Sequence, residues 1–191
     1  AAVYLVGDPV EQKLADTRTS QGVFAVAAML DKTLEPDTID RNGAYAALEG
    51  LQDPGNLGTV LRTAEAMGLD GVLLSAGCTD IYGPKAVRAG MGAVFRLPFW
   101  VAEDLPAALR RLGERGLATL ASVPDPGARS ILTVRQLAGV VVAVGNEGSG
   151  LTPACIQACR ERVTIPMKGR AESLNAAGAA AILMWELMKN R

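Results

Sequence analysis

The 191 residues, 49% hydrophobic and 20% charged, hold enough apolar material for one domain with a substantial core plus a short appendage, and exclude a disordered or fibrous chain. Nineteen Lys and Arg against twenty Asp and Glu leave a net charge of −1, which excludes broad nonspecific nucleic-acid binding and requires any RNA contact to come from a local basic patch. With no histidine and three cysteines (Cys78, Cys155 and Cys159) that form no close CxxC pair, the composition excludes imidazole chemistry and argues against a zinc site or a secreted disulfide framework.

In chain order, residues 1–30 read as a strand over 3–7, a short helix over 9–15 and a strand over 22–30, the tail of a small α/β unit. The start at Ala1, without an initiator Met, suggests that residues precede it. Residues 31–42 are polar, contain Pro36 and read as a linker. From Gly43 onward, strands are predicted over 44–48, 71–75, 94–99, 118–122, 140–145 and 162–165, and helices over 58–67, 84–91, 105–115, 153–160 and 174–189. Such alternation implies an α/β fold, a parallel sheet flanked by helices on both faces. The run Val140-Val141-Val142-Ala143-Val144 has no polar alternation, as expected of a central strand buried on both sides. The apolar stretch 176–187 carries Glu186 and falls short of the roughly 20 residues of a membrane span, so it reads as a buried helix. No membrane is expected as a partner, and the cytoplasm is the expected compartment.

In an open parallel sheet, ligands sit beyond the carboxyl ends of the strands, so the residues just after each strand carry the information. Three such segments stand out. Asp53-Pro54-Gly55-Asn56-Leu57-Gly58 forms a tight loop into a helix that carries Arg62, and Asn56 reads equally as a helix cap. Gly145-Asn146-Glu147-Gly148-Ser149-Gly150 follows the most apolar strand; its order is neither a dinucleotide fingerprint nor a phosphate loop, yet its glycines allow close approach to the backbone. Ile165-Pro166-Met167 leads through Arg170 to Glu172-Ser173-Leu174-Asn175 and the Ala-rich last helix, with Ser173 as the expected cap.

Taken together, the three segments resemble the motifs of the SpoU (TrmH-type) family of RNA ribose methyltransferases, within the SPOUT class. The similarity covers about residues 43–191, and residues 20–26 resemble the end of the small ribosomal-protein-like substrate-binding domain that often precedes that catalytic domain. One departure is Ala176-Ala177-Gly178, where relatives tend to carry Val-Ser-Val. The resemblance implies a catalytic domain over 43–191, preceded by a domain remnant over 1–30 and the linker over 31–42, with its end threaded as a deep trefoil knot. It implies S-adenosylmethionine as methyl donor and no metal, RNA as substrate, and a homodimer. Donor contacts would come from Leu120, Ala121, Ser122, Gly145, Asn146, Gly150, Ile165, Met167, Ser173, Leu174 and Asn175. Arg62 is the residue to which relatives assign the base role. A guanidinium is nearly always protonated, so Arg62 is expected to clamp RNA phosphate and polarise the 2′-OH, oriented by Asn56 and Glu147. Lys85, Arg88, Arg129 and Arg170 are RNA-contact candidates because they fall near the motifs. Ribosomal RNA is favoured over transfer RNA because of the partial upstream domain. The alternatives are a noncatalytic RNA-binding relative and an adenine-nucleotide-binding α/β protein.

Overall fold

A computed structural model describes residues 2–15, 17–28, 34, 37–135, 137–189 and 191. The chain divides into two units, Ala1–Asp31 and Lys32–Arg191. In the first, helix α1 (Asp8–Leu14) begins with Pro9 in its first turn. The strands expected over 3–7 and 22–30 do not form among the described residues, where Val3, Leu5, Val23 and Val26 are exposed. An apolar run makes a strand only when a neighbour accepts its backbone bonds, and none does among the described residues. Residues 29 and 30, and much of the linker expected over 31–42, lie outside the described residues.

In the second unit, seven strands among the described residues form one fully parallel sheet. They are β1 (Ala44–Leu48), β2 (Gly71–Ser75), β3 (Phe99–Ala102), β4 (Ala118–Ser122), β5 (Arg129–Ser130), β6 (Val140–Val144) and β7 (Glu161–Thr164), in the order β3-β2-β1-β6-β4-β7-β5. The parallel α/β expectation is met. The helices are α2 (Pro54–Ala66), α3 (Pro84–Ala89), α4 (Leu105–Glu114), α5 (Pro153–Ala158) and α6 (Ala176–Met188). One of the expected elements is corrected, and one strand was not expected. The strand expected over 94–99 is a 3-10 turn, Ala93–Phe95, and the strand begins only at Phe99, because Pro98 has no N–H for a ladder and restricts the residue before it. The two-residue β5 went unforeseen because so short a pairing leaves no periodicity.

Alternation along the central strands sends side chains to two separate cores. Val140, Val142 and Val144 of β6 pack with Leu57, Val60 and Leu61 of α2 and with Leu183 and Met184 of α6. Val141 and Ala143 pack on the other face with Leu105, Leu109 and Leu112 of α4 and Cys155 of α5. The last helix is therefore buried along one face only. Ile182 is partly exposed and Trp185 is 57% exposed on the other. Its cap is Asn175, whose side chain accepts from the N–H groups of Ala177 and Gly178, and not Ser173. Gly58 lets α2 cross α3 at backbone contact, since a Cβ there would overlap the Ala86 carbonyl and the Gly90 nitrogen.

Candidate active site

Because every strand runs the same way, the loops after β1, β4, β6 and β7 emerge along one edge of the sheet. The last three enclose a cleft of 590 Å³. The turn after β4 contributes Ser122 and Asp125, the loop after β6 contributes all of residues 144–151, and the segment after β7 contributes Ile165, Met167, Ser173 and Leu174. Three distant stretches of sequence thus meet in one place.

The glycine-rich loop after β6 closes on itself. Asn146 and Gly150 exchange backbone hydrogen bonds, and the Asn146 side chain accepts from the Gly148 and Ser149 N–H groups while donating to the Gly50 carbonyl at 2.7 Å. A Cβ on Gly145 would overlap the Gly150–Leu151 peptide, so glycine is required there. Glu49, directly after β1, accepts from both the N–H and the hydroxyl of Thr152 and ties the loop's far end to the sheet. Sequence reasoning passed over Glu49 and Gln52, although the rule that site residues follow strand ends points to both.

Glu147 projects from this loop across to the start of α2. Its carboxylate accepts from the Asn56 amide at 3.0 Å and from the backbone N–H groups of Gln52 and Asp53, each at 3.3 Å. The Asn56 oxygen in turn accepts from the Asn175 amide at 3.0 Å, and Asn175 caps α6. One polar chain, Glu147–Asn56–Asn175, therefore links the three motif loops. Burial pushes the Glu147 carboxyl up, but the Asn56 amide and the surrounding backbone donors outweigh it and hold the group below the usual carboxylate range. Asp53 caps α2 through the Asn56 N–H, the main reason its own carboxyl also lies low. The alternative reading of Asn56 as the helix cap is thereby replaced: Asp53 caps, and the Asn56 side chain is left for the relay.

The remaining expected residues fall into distinct places. Leu120 and Ala121 are buried inside β4 and do not line the cleft, whereas Ser122, at the strand's end, does. Arg62 lies on the exposed side of α2, nearly two turns beyond Asn56; among the described residues its side chain makes no hydrogen bond or ion pair, and it does not line the cleft. Asn56 and Glu147 touch each other rather than Arg62. Lys85 approaches Asp53 at 3.5 Å and shares α3 with Arg88. Arg129 is held at the far edge strand β5, where it binds both Glu161 oxygens at 3.1 Å and the Thr133 carbonyl. Arg170 is exposed in the segment between β7 and α6. No group of acidic or cysteine side chains fit to hold a metal occurs among the described residues. Cys155 and Cys159 face the α4–α5 core, and burial raises both thiols, Cys159 to about 12.

Met167 and Leu174 are large apolar side chains left partly exposed at the cleft. Among the described residues, the backbone of 166–174 forms no hydrogen bond with the rest of the chain. A ligand with an apolar ring and several polar groups meets both needs, and the cleft's volume lies within the range of small-molecule sites.

Comparison with known proteins bears on what that ligand is. The model of the SpoU rRNA methylase family matches residues 43–185. An uncharacterized tRNA/rRNA methyltransferase of Synechocystis sp. is 35% identical over 188 residues, 98% of this chain and 68% of that protein. The 23S rRNA (guanosine(2553)-2′-O)-methyltransferase RlmP of Bacillus subtilis is 33% identical over 184 residues, 96% of this chain and 71% of that protein. Among solved structures, an AdoMet-bound rRNA methyltransferase from Sinorhizobium meliloti superposes with a TM-score of 0.76 at 33% identity, covering 83% of this chain and 61% of that one. An RNA 2′-O ribose methyltransferase superposes with a TM-score of 0.81 at 34% identity, covering 96% and 70%. The chain thus spans 61% to 71% of the length of these four relatives.

Proposed function

Because the chain belongs to the SpoU rRNA methylase family, we propose that it transfers a methyl group from S-adenosylmethionine to a ribose 2′-OH of RNA, with ribosomal RNA favoured over transfer RNA. The observation that carries this reading is the Glu147–Asn56–Asn175 chain, which joins all three motif loops beside one cleft. The donor would lie between the loop after β6 and the segment 165–174, its apolar parts against Ile165, Met167 and Leu174 and its polar groups on backbone N–H and C=O. When bound, it supplies an electrophilic methyl group on a sulfonium.

The chain's own residues then have to align a ribose oxygen with that carbon and ease the departure of its proton. Arg62 is the residue for the RNA phosphate and the 2′-OH: its permanent charge binds the first and stabilises negative charge developing on the second. Glu147, ionised throughout the neutral range, holds Asn56 and the start of α2 in register with the glycine-rich loop. Residues 43–191 make the catalytic domain in this reading, with the trefoil threading of its end, and 1–30 are the remnant of a substrate-binding domain joined by the linker 31–42. The exposed apolar face of α6, with Ile182 and Trp185, suits a homodimer contact. The compartment is the cytoplasm.

A labelled methyl-transfer assay on total RNA, followed by mapping of the modified nucleotide, tests the reading. Arg62→Lys is expected to lose most turnover while binding the donor normally, and Glu147→Ala to lose turnover more than donor affinity. Wild-type protein that binds S-adenosylmethionine yet labels no RNA would overturn the assignment.

A further inference from the structure

Gly145, Gly148 and Gly150 leave the backbone of the loop after β6 free to take many shapes, and a loop that orders only when its ligand arrives loses affinity by the cost of ordering. Its two ends are gripped by two consecutive residues that leave β1. At the entrance, the Asn146 side chain donates to the Gly50 carbonyl at 2.7 Å. At the exit, Glu49 Oε2 accepts from the Thr152 N–H at 2.7 Å and Glu49 Oε1 from the Thr152 hydroxyl at 2.8 Å. Thr152 Oγ1 itself accepts from the Cys155 N–H at 3.2 Å, so its own proton is directed at the carboxylate and the start of α5 joins the same grip. Residues 49 and 50 are firm anchors: the Glu49 N–H donates to the Val144 carbonyl and the Gly50 N–H to Ser75 Oγ, each at 2.9 Å.

Neither Glu49 nor Thr152 lines the cleft, whereas residues 144–151 all do. The Glu49–Thr152 contact therefore reaches a bound ligand only through the shape of the loop. Glu147 fastens the middle of that loop to the start of α2 and leaves its exit to Glu49. Hydrogen bonds to a carboxylate are stronger than those between neutral groups, and two on one residue fix direction as well as distance. We infer that Glu49 is the positioning residue that holds the glycine-rich loop in its donor-binding shape before the donor arrives, with Thr152 as its handle. The inference rests on the methyltransferase reading above and adds which residue outside the cleft sets donor affinity. Without the grip, only a fraction of molecules has the loop in the competent shape, and the apparent donor affinity falls by that fraction. Excess donor pulls the loop back, so the signature is a raised KM at an almost unchanged kcat, the reverse of the pattern expected for Glu147.

The test uses the full chain, with S-adenosylmethionine binding followed by calorimetry and methylation of total RNA followed at rising donor concentration. Glu49→Ala should raise the donor Kd and KM about five- to tenfold, the effect of losing bonds to a charged group, with kcat at saturating donor within about twofold of wild type. Glu49→Asp keeps the charge but is one methylene too short to reach both Thr152 groups, and should weaken donor binding nearly as much. Glu49→Gln keeps the length and an acceptor for the Thr152 N–H, and should recover part of the affinity. Thr152→Val opens the grip from the other side, which covers a Glu49→Ala protein that does not fold; it should raise the same KM about threefold. The double variant should bind no more weakly than Glu49→Ala alone, since one contact cannot be lost twice. Folded variants that melt lower but keep the wild-type donor Kd and KM would overturn the positioning role, and so would a fall in kcat at unchanged KM. Wild-type protein that binds no S-adenosylmethionine would instead overturn the reading beneath it, a result distinct from equal donor binding by wild type and Glu49→Ala.

Discussion

Replacing Asn175 with Ala removes two things at once, the cap on α6 and the donor to Asn56. Loss of an N-cap costs about 1 kcal/mol, and loss of one solvent-accessible side-chain hydrogen bond about 0.5–1 kcal/mol. A total of about 1.5–2 kcal/mol lowers the melting temperature of a domain this size by about 3–8 °C. Asn175→Asp separates the two effects. The new carboxylate still accepts from the Ala177 and Gly178 N–H groups, and negative charge suits a helix start, so stability should stay within about 0.5 kcal/mol of wild type. It has no proton to give Asn56, however. If Asn56 turns its amide toward that carboxylate, it abandons Glu147, and the link between the first two loops is broken. Calorimetric melting with and without saturating S-adenosylmethionine, alongside single-turnover methylation, measures both effects. The expected pattern is low stability and low turnover for Asn175→Ala, against near-normal stability and low turnover for Asn175→Asp. An Asn175→Ala protein that melts within about a degree of wild type, or an Asn175→Asp protein with full turnover, would refute the reasoning.

Gly145→Ala should destabilise the chain by about 1–3 kcal/mol, because the new Cβ meets backbone rather than a movable side chain, and donor binding by titration should fall with it. For Glu147, whose folded-state pKa lies below its unfolded one, the stabilising contribution is complete above pH about 4.3 and disappears as pH falls through the lower folded value. Urea melts of Glu147→Gln should therefore lose less stability than wild type between pH about 6 and about 3, and parallel losses would contradict this. Cys155 and Cys159, raised by burial, should resist iodoacetamide at pH about 8 until the protein is unfolded; native-state labelling of either by mass spectrometry at the rate of a free thiol would count against that environment.

The repeating change between continuous apolar runs and helical stripes was sufficient to indicate a parallel sheet with helices on both faces, because a strand buried on both sides leaves a signature that solvent-facing strands do not. Val140 to Val144 is the clearest case, and its two side-chain sets do enter different cores. Local pattern also located the three loops, since ligand-facing residues in such sheets follow strand ends. It failed where pairing partners decide the outcome: residues 3–7 are an apolar run like a strand's but have no neighbour among the described residues, and the run around Val94 and Phe99 is divided by Pro98. Composition and spacing alone thus determined the class of fold and which loops matter. Only the tertiary structure decided that Glu147, Asn56 and Asn175 form one hydrogen-bonded chain, that Arg62 stands outside the cleft lining, and that Arg129 is spent on Glu161. The physical reason is range: periodicity reports the neighbours of a residue along the chain, whereas a bond between positions 119 residues apart exists only once the sheet has brought its strand ends together.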